Sequence, residues 1–141
     1  MLNLTILAVG SLKEAYFRDA VKEYEKRLAA YCRFKIVELK DGTPLLPRLP
    51  EKAYRVALCV EGKELSSEEL AGLLEKKATE GFSEIVFLIG PFDGLPEEVK
   101  AACHLRLSFS RMTFPHTLMR VILAEQLYRA CNILSGGKYH K

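Results

Sequence analysis

The sequence predicts an α/β fold, a mostly parallel sheet covered on both faces, and three observations point to it. Strand-like apolar runs alternate along the chain with stretches whose apolar residues recur at helical spacing, and the connections between them are short. The run SEIVFLIG holds five consecutive large apolar residues, Ile85 to Ile89, which suits a strand buried on both sides. With 141 residues the chain is long enough to bury one core and too short for two, so residues 1–141 are expected to form a single domain.

Each element follows from local pattern. LNLTILAV reads as a buried strand, and Gly10 ends it. From Leu12 to about Ala30 the period changes: Ala15, Phe17, Val21, Tyr24, Leu28 and Tyr31 recur as on one side of a helix. CRFKIVELK supplies a second strand. Pro44, Pro47 and Pro50 then forbid regular structure, so residues 41–51 form a loop or a short helical turn. YRVALCVEG is the third strand. Ser66 stands three residues before Glu69, the capping box of a helix that Gly81 ends. After the fourth strand, SEIVFLIG, the segment PEEVKAAC opens with proline and two acids, as a helix N-terminus does. HLRLSFS is a short strand with Leu105, Leu107 and Phe109 on one face. A last helix runs from about Pro115 to Leu134, closed by Gly136 and Gly137. Its stripe of Met119, Leu123, Leu127, Ala130 and Leu134 is expected to pack on the sheet. Leu118, Val121, Ile122, Tyr128 and Ile133 lie elsewhere around the cylinder, and a helix apolar on two sides predicts a symmetric homodimer.

Composition narrows the function. At 49% apolar and 28% charged residues, the chain is globular in character. Its apolar stretches fall well short of the roughly 20 residues that a membrane span needs. No basic region precedes the first of them, so it reads as a strand and not a leader, and a cytoplasmic location with no membrane partner is expected. Cys32, Cys59, Cys103 and Cys131 are far apart with no CxxC pair, which argues for buried free thiols and against a metal site. The net charge of +3 hides an asymmetry. Residues 1–100 carry 15 Lys+Arg against 17 Asp+Glu, a balance of −2, whereas residues 101–141 carry 6 against Glu125 alone, a balance of +5. That third is either a surface for an anionic partner, nucleic acid being the commonest, or a solvated basic patch.

Open parallel sheets bind ligands beyond the carboxyl ends of their strands, which here places chemistry in IGPFDGL and in SFSRMTFPH. Gly90 and Gly94 either admit a ligand close to the backbone or let the chain turn. No GxGxxG or GxxxxGK[ST] is present, which excludes the common phosphate cradles, and no GxSxG supports a serine nucleophile. Glu125 pairs most simply with Arg129 one helical turn on. His104 has no assigned role, His116 is structural or catalytic, and His140 sits in a polar tail that is either functional or unstructured.

The stretches LSFSRMTFPHTLMRVILAEQLYRA, LTILAVGSLKEAYFRDAVKEYEKRL, VEGKELSSEELA and the terminal YHK together resemble the RlmH family of SPOUT-class methyltransferases. That family methylates N3 of a pseudouridine in large-subunit (23S) ribosomal RNA with S-adenosylmethionine. The resemblance covers nearly the whole chain. It implies a SPOUT-type parallel sheet flanked by helices on both faces, with a C-terminal trefoil knot, and a homodimer whose site draws on both subunits. It implies cofactor contacts from Leu58, from Gly90, and from the loop Phe109, Ser110, Arg111, Met112, Thr113 and Phe114. The catalytic candidates are His140, as base or base-positioning group, and Tyr139, stacking or hydrogen bonding, with Arg111 and Arg120 steadying an imide anion or holding phosphates. The implied partner is ribosomal RNA, within the assembled ribosome, and no metal is implied. Pro91 stands where the family shows a second glycine, and residues 40–52 are shorter than in relatives. A spoiled cofactor loop would leave the alternative expectation, a catalytically silent RNA- or ribosome-binding module of the same fold.

Overall fold

The computed structural model describes residues 2–141. In chain order the elements are β1 (Asn3–Val9), α1 (Ala15–Leu28), β2 (Arg33–Leu39), a 3-10 turn (Leu46–Arg48), β3 (Tyr54–Glu64), α2 (Ser67–Thr79), β4 (Glu84–Ile89), α3 (Glu97–Ala101), β5 (Leu105–Ser108) and α4 (His116–Leu134). The strands form one sheet in the order β2-β1-β4-β3-β5, and every described pairing is parallel. All carboxyl ends therefore lie along one edge.

Alternation along the strands sends side chains into two layers. Leu4, Ile6 and Ala8 of β1, Val56 of β3 and Ile85, Phe87 and Ile89 of β4 pack with Leu28 of α1, Leu70 and Leu74 of α2 and Leu123 and Leu127 of α4. On the opposite face Leu7, Val9, Ala57, Val86 and Leu88 meet Leu39, Leu45, Leu95 and Val99. The three long helices thus share one face, while the proline-rich segment and the short α3 cover the other.

The capping box at the start of α2 is formed. Ser66 Oγ accepts from the Glu69 amide at 3.0 Å, and Glu69 Oε1 accepts from the Ser66 amide at 2.8 Å. β3 departs from the simple strand that its sequence predicts. Leu107 of β5 faces both Leu58 and Lys63, so the residues between those two bulge out of the ladder. Gly62 permits this, because a Cβ there would lie 2.7 Å from the backbone of Arg106 and Leu107.

α4 buries Arg120, Leu123, Ala124, Leu127, Ala130 and Asn132. The expected stripe is corrected at its far end, where Leu134 is 42% exposed. Asn132 takes the inward position of the last turn and accepts from the Tyr139 amide at 3.1 Å, holding the chain that returns after Gly136. Of the second apolar side, Tyr128 is covered by Tyr24, Tyr31 and Tyr139, whereas Leu118, Val121 and Ile122 stay half-open.

Candidate functional site

The carboxyl ends of β3, β4 and β5 open onto one cavity of about 330 Å³. One wall is the β3 bulge from Leu58 to Glu61, a second is the loop from Ile89 to Leu95, and a third is Phe109, Ser110, Met112, Thr113 and Phe114. His116 and Met119, from the first turn of α4, complete it. The volume falls within the range of small-molecule sites, roughly 300–1,000 Å³.

Close backbone approach shapes the second wall. A Cβ on Gly90 would stand 2.8 Å from Gly94 C and from Leu95 N, so only glycine lets this loop fold back on itself. The Gly94 amide donates to the Pro91 carbonyl at 2.8 Å, and Gly94 has a φ of +87°, which glycine alone adopts without strain. Pro91 fits this turn through its carbonyl. It lacks an N–H, so the wall offers one backbone donor fewer than a glycine would give.

In the third wall the hydroxyl of the buried Ser108 donates to the Ser110 carbonyl at 2.9 Å, and Ser110 Oγ accepts from the Met112 amide at 3.0 Å. This local bonding fixes the turn after β5. The rim is apolar: Phe92 is 88% exposed, Met112 73% and Val60 41%. Beside it, Lys100 donates to Glu61 at 2.5 Å and lies 3.5 Å from Glu97, which also receives Arg106 at 2.7 Å. The hydrogen bond from Lys100 holds the Glu61 carboxyl below the usual carboxylate range, so this network stays charged. Burial pushes the Cys59 thiol up, which keeps it an unreactive wall residue.

Of the cofactor-contact candidates, Leu58, Gly90, Phe109, Ser110, Met112, Thr113 and Phe114 line this cavity together. Arg111 does not line it. Its side chain is exposed, and among the described residues it makes no ion pair. Phe92 and Leu95 belong to the expected segment IGPFDGL, whereas sequence reasoning missed Cys59 to Glu61, Lys100 and Met119. The first group lies in a bulge that only the close approach of the β5 backbone to Gly62 reveals.

The tail folds back along the second half of α4, beyond the residues that line the cavity. Tyr139 donates its phenol O–H to Glu125 Oε2 at 2.7 Å, its ring lies edge-on to Tyr128 with centroids 4.8 Å apart, and the Arg129 guanidinium sits 4.6 Å over it. Arg129 also pairs with Glu125 at 2.6 Å, the expected one-turn ion pair. Glu125 accepts the phenol proton's bond and, together with burial, pushes the Tyr139 pKa up to about 12. His140 Nδ1 lies 3.1 Å from Arg129 Nη1, and its Nε2 lies 3.2 Å from Glu68 Oε2. A guanidinium only donates, so Nδ1 is the acceptor and Nε2–H points at Glu68. That contact, after the backbone amide bond at Glu68 itself, holds the Glu68 carboxyl low. Neither Tyr139 nor His140 lines the cavity. Glu125 is six residues past Met119, about 9 Å along the helix.

Arg120 faces the other way. It is 1% exposed, pairs through Nη1 with Glu38, and donates from Nη2 to the Gly10 carbonyl at 3.0 Å. The sequence groups it with the loop after β5, and the fold places it at the carboxyl ends of β1 and β2. All four cysteines are free. Among the described residues, no cluster of three or more His, Cys, Asp or Glu is placed to hold a metal, and no helix is long and apolar enough to cross a membrane.

Known proteins match both sequence and fold. The family described as "Predicted SPOUT methyltransferase" matches residues 2–140. Over 159 aligned positions the chain is 42% identical to the "Ribosomal RNA large subunit methyltransferase H" of Clostridioides difficile (strain 630) and 45% identical to that of Clostridium novyi (strain NT). Each comparison covers 99% of this chain and 100% of the relative. In fold the chain is similar to a probable methylase family protein from Haemophilus influenzae Rd KW20, with a TM-score of 0.64 at 12% identity, covering 99% of this chain and 71% of that one. It is also similar to TrmJ from Z. mobilis ZM4, with a TM-score of 0.60 at 12% identity, covering 92% and 70%. A five-stranded parallel sheet, a cavity at its carboxyl edge and full-length identity to these relatives lead to one assignment: the chain is a SPOUT methyltransferase of the RlmH family.

Proposed function

We propose that this chain methylates N3 of a pseudouridine in large-subunit (23S) ribosomal RNA with S-adenosylmethionine, acting in the cytoplasm as a homodimer. The observation that carries this reading is the cavity at the ends of β3, β4 and β5, assembled from the backbone segments that the family resemblance assigns to cofactor contact. The cavity fits the donor. Its apolar walls, Leu58, Ile89, Leu95 and Leu107, suit a nucleoside, and strand-end backbone polar groups surround them. S-adenosylmethionine, when bound, supplies an electrophilic methyl group on its sulfonium.

The residues of the chain then have distinct tasks. The walls hold the donor and exclude water, so positioning supplies much of the rate. The target N3–H must lose its proton before its nitrogen attacks, and His140 Nδ1 is the acceptor in this reading once Arg129 releases it. Tyr139 keeps its proton to about pH 12, so it acts as a donor that fixes Glu125 and the tail, not as a base. Arg111, exposed and unpaired beside the rim, steadies the anionic ring. Arg120 is tied through its two Nη atoms to Glu38 and Gly10, and its buried Nε–H has no partner. Because the tail of one protomer stands away from its own cavity, the tail of the partner completes each site. The half-open apolar residues of α4, Leu118, Val121 and Ile122, form part of the surface between the two copies. The trefoil threading of a SPOUT chain belongs to the same reading.

The test is methyl transfer to ribosomes from cells lacking this protein, with isotope-labelled S-adenosylmethionine and mass mapping of the RNA. One labelled methyl on a pseudouridine of the large subunit is expected. No incorporation, into assembled particles or free RNA, overturns the reading in favour of a silent binding module.

A further inference from the structure

A second cleft, of about 500 Å³, opens at the carboxyl ends of β1 and β2 and is lined by Ser11, Arg18, Lys22, Glu25, Glu38 and Arg120, among others. Three features mark it. Arg120, 1% exposed, lies in its wall, and its Nε–H is the one buried side-chain donor among the described residues that has no acceptor. Buried donors in folded proteins are nearly always satisfied, so an unpaired one at a cleft points to a missing partner that accepts. The charges lining the cleft are also cationic on balance: Arg120 and Glu38 neutralise each other, which leaves two bases, Arg18 and Lys22, against Glu25. Finally, Arg18 is held in place, its Nη1 donating to the carbonyls of Leu12 at 2.9 Å and Lys13 at 2.5 Å, which leaves its other donors for a ligand.

The cleft is also next to the methyl-transfer cavity. Met119 lines that cavity and Arg120 lines the cleft, so adjacent residues in the first turns of α4 form the partition between them. β1 and β4 are neighbours in the sheet, which puts both openings on one edge. A helix is about 10 Å across, so a strand whose base enters the cavity carries its neighbouring phosphates within reach of the cleft.

We infer that this cleft is a phosphodiester-binding subsite, in which Arg120 Nε–H, Ser11, Arg18 and Lys22 grip the RNA strand that delivers the target base. The identity of the occupant rests on the RNA-methyltransferase reading; the anion site does not. Phosphate contacts of this kind fix register and orientation and leave sequence to base pairing and base contacts.

The test uses the intact protein labelled with 15N-arginine, following the Nε–H resonances, with Arg120 assigned through the α4 backbone. Inorganic phosphate is expected to shift the Arg120 resonance saturably, and a large-subunit ribosomal RNA fragment is expected to displace it. The exposed double variant Arg18→Gln, Lys22→Gln is expected to weaken phosphate binding at least about tenfold. It is expected to raise KM for ribosomal particles by about tenfold and to flatten the log-affinity against log-salt slope by about 1.4–1.8, two phosphate contacts' worth, with the affinity for S-adenosylmethionine unchanged. An Arg120 resonance unmoved by phosphate overturns the subsite. A shift that RNA does not compete with means an adventitious ion only and overturns the assigned occupant. Competition by RNA in a protein that transfers no methyl group upholds the subsite and removes the catalytic reading instead.

Discussion

Tyr139 and His140 show how far a side chain's chemistry depends on contacts that sequence distance conceals. The pairing of Glu125 with Arg129 is legible from spacing alone, and the structure contains it. That the same carboxylate also receives the Tyr139 phenol, and that His140 bridges Arg129 and Glu68, depends on a chain reversal at Gly136 that places the tail beside two helices. Tyr139 therefore titrates unusually. Its folded pKa, about 12, lies above the ordinary phenol value near 10, so the folded state holds this proton more tightly than the unfolded state does. The stabilisation is fully present below about pH 10 and is lost as pH rises toward 12. Spectrophotometric titration of the protein minus that of Tyr139→Phe isolates this phenol, and a difference curve centred near pH 10 contradicts the contact. For His140, the substitution His140→Gln is expected to lower kcat by about 10²–10⁴ with the affinity for S-adenosylmethionine retained. A variant with the full rate removes His140 from proton transfer.

The β3 bulge and the loops after β4 and β5 bear the candidate site, and they differ in how openly the sequence declares them. Gly90 and the turn after β5 sit at the ends of unmistakable strands, so the edge where a ligand binds follows from the parallel sheet. The β3 bulge was not legible, because YRVALCVEG reads as an unbroken strand and only the passage of the β5 backbone against Gly62 reveals the break. The placement of Arg120 was equally hidden. Its partners, Glu38 of β2 and Gly10 just after β1, lie far earlier in the chain, and a charged residue near a helix's start carries no mark of deep burial. For the loop after β4 the close approach gives a sharp expectation. Gly90→Ala forces Gly94 and Leu95 apart, so it is expected to destabilise the fold by about 1–3 kcal/mol and to weaken S-adenosylmethionine binding by at least about tenfold. Denaturant unfolding and calorimetric titration read the two effects, and a variant that binds the donor normally contradicts the account of this wall.

Across the whole molecule, sheet, helices and their order were readable from period and punctuation, because each element's apolar pattern agrees with the layer it enters. What no pattern in one chain can express is the proposed division of the site between two copies. The excess of base over acid in the last 41 residues falls on β5 and the loop after it, on α4 and on the tail, so the proposed pairing of two protomers through α4 would gather two such segments around each cavity. The most direct measurement of this arrangement is complementation. Gly90→Ala, impaired in the cavity, and His140→Gln, impaired in the tail, are co-expressed with different tags, checked for native circular dichroism, and assayed together for methyl transfer to ribosomes. Half of randomly paired dimers are mixed and each mixed dimer contains one intact composite site, so activity is expected to return to about a quarter of the unsubstituted level. A mixture as inactive as either variant alone would show that cavity and tail act within one protomer, and the shared site would be wrong.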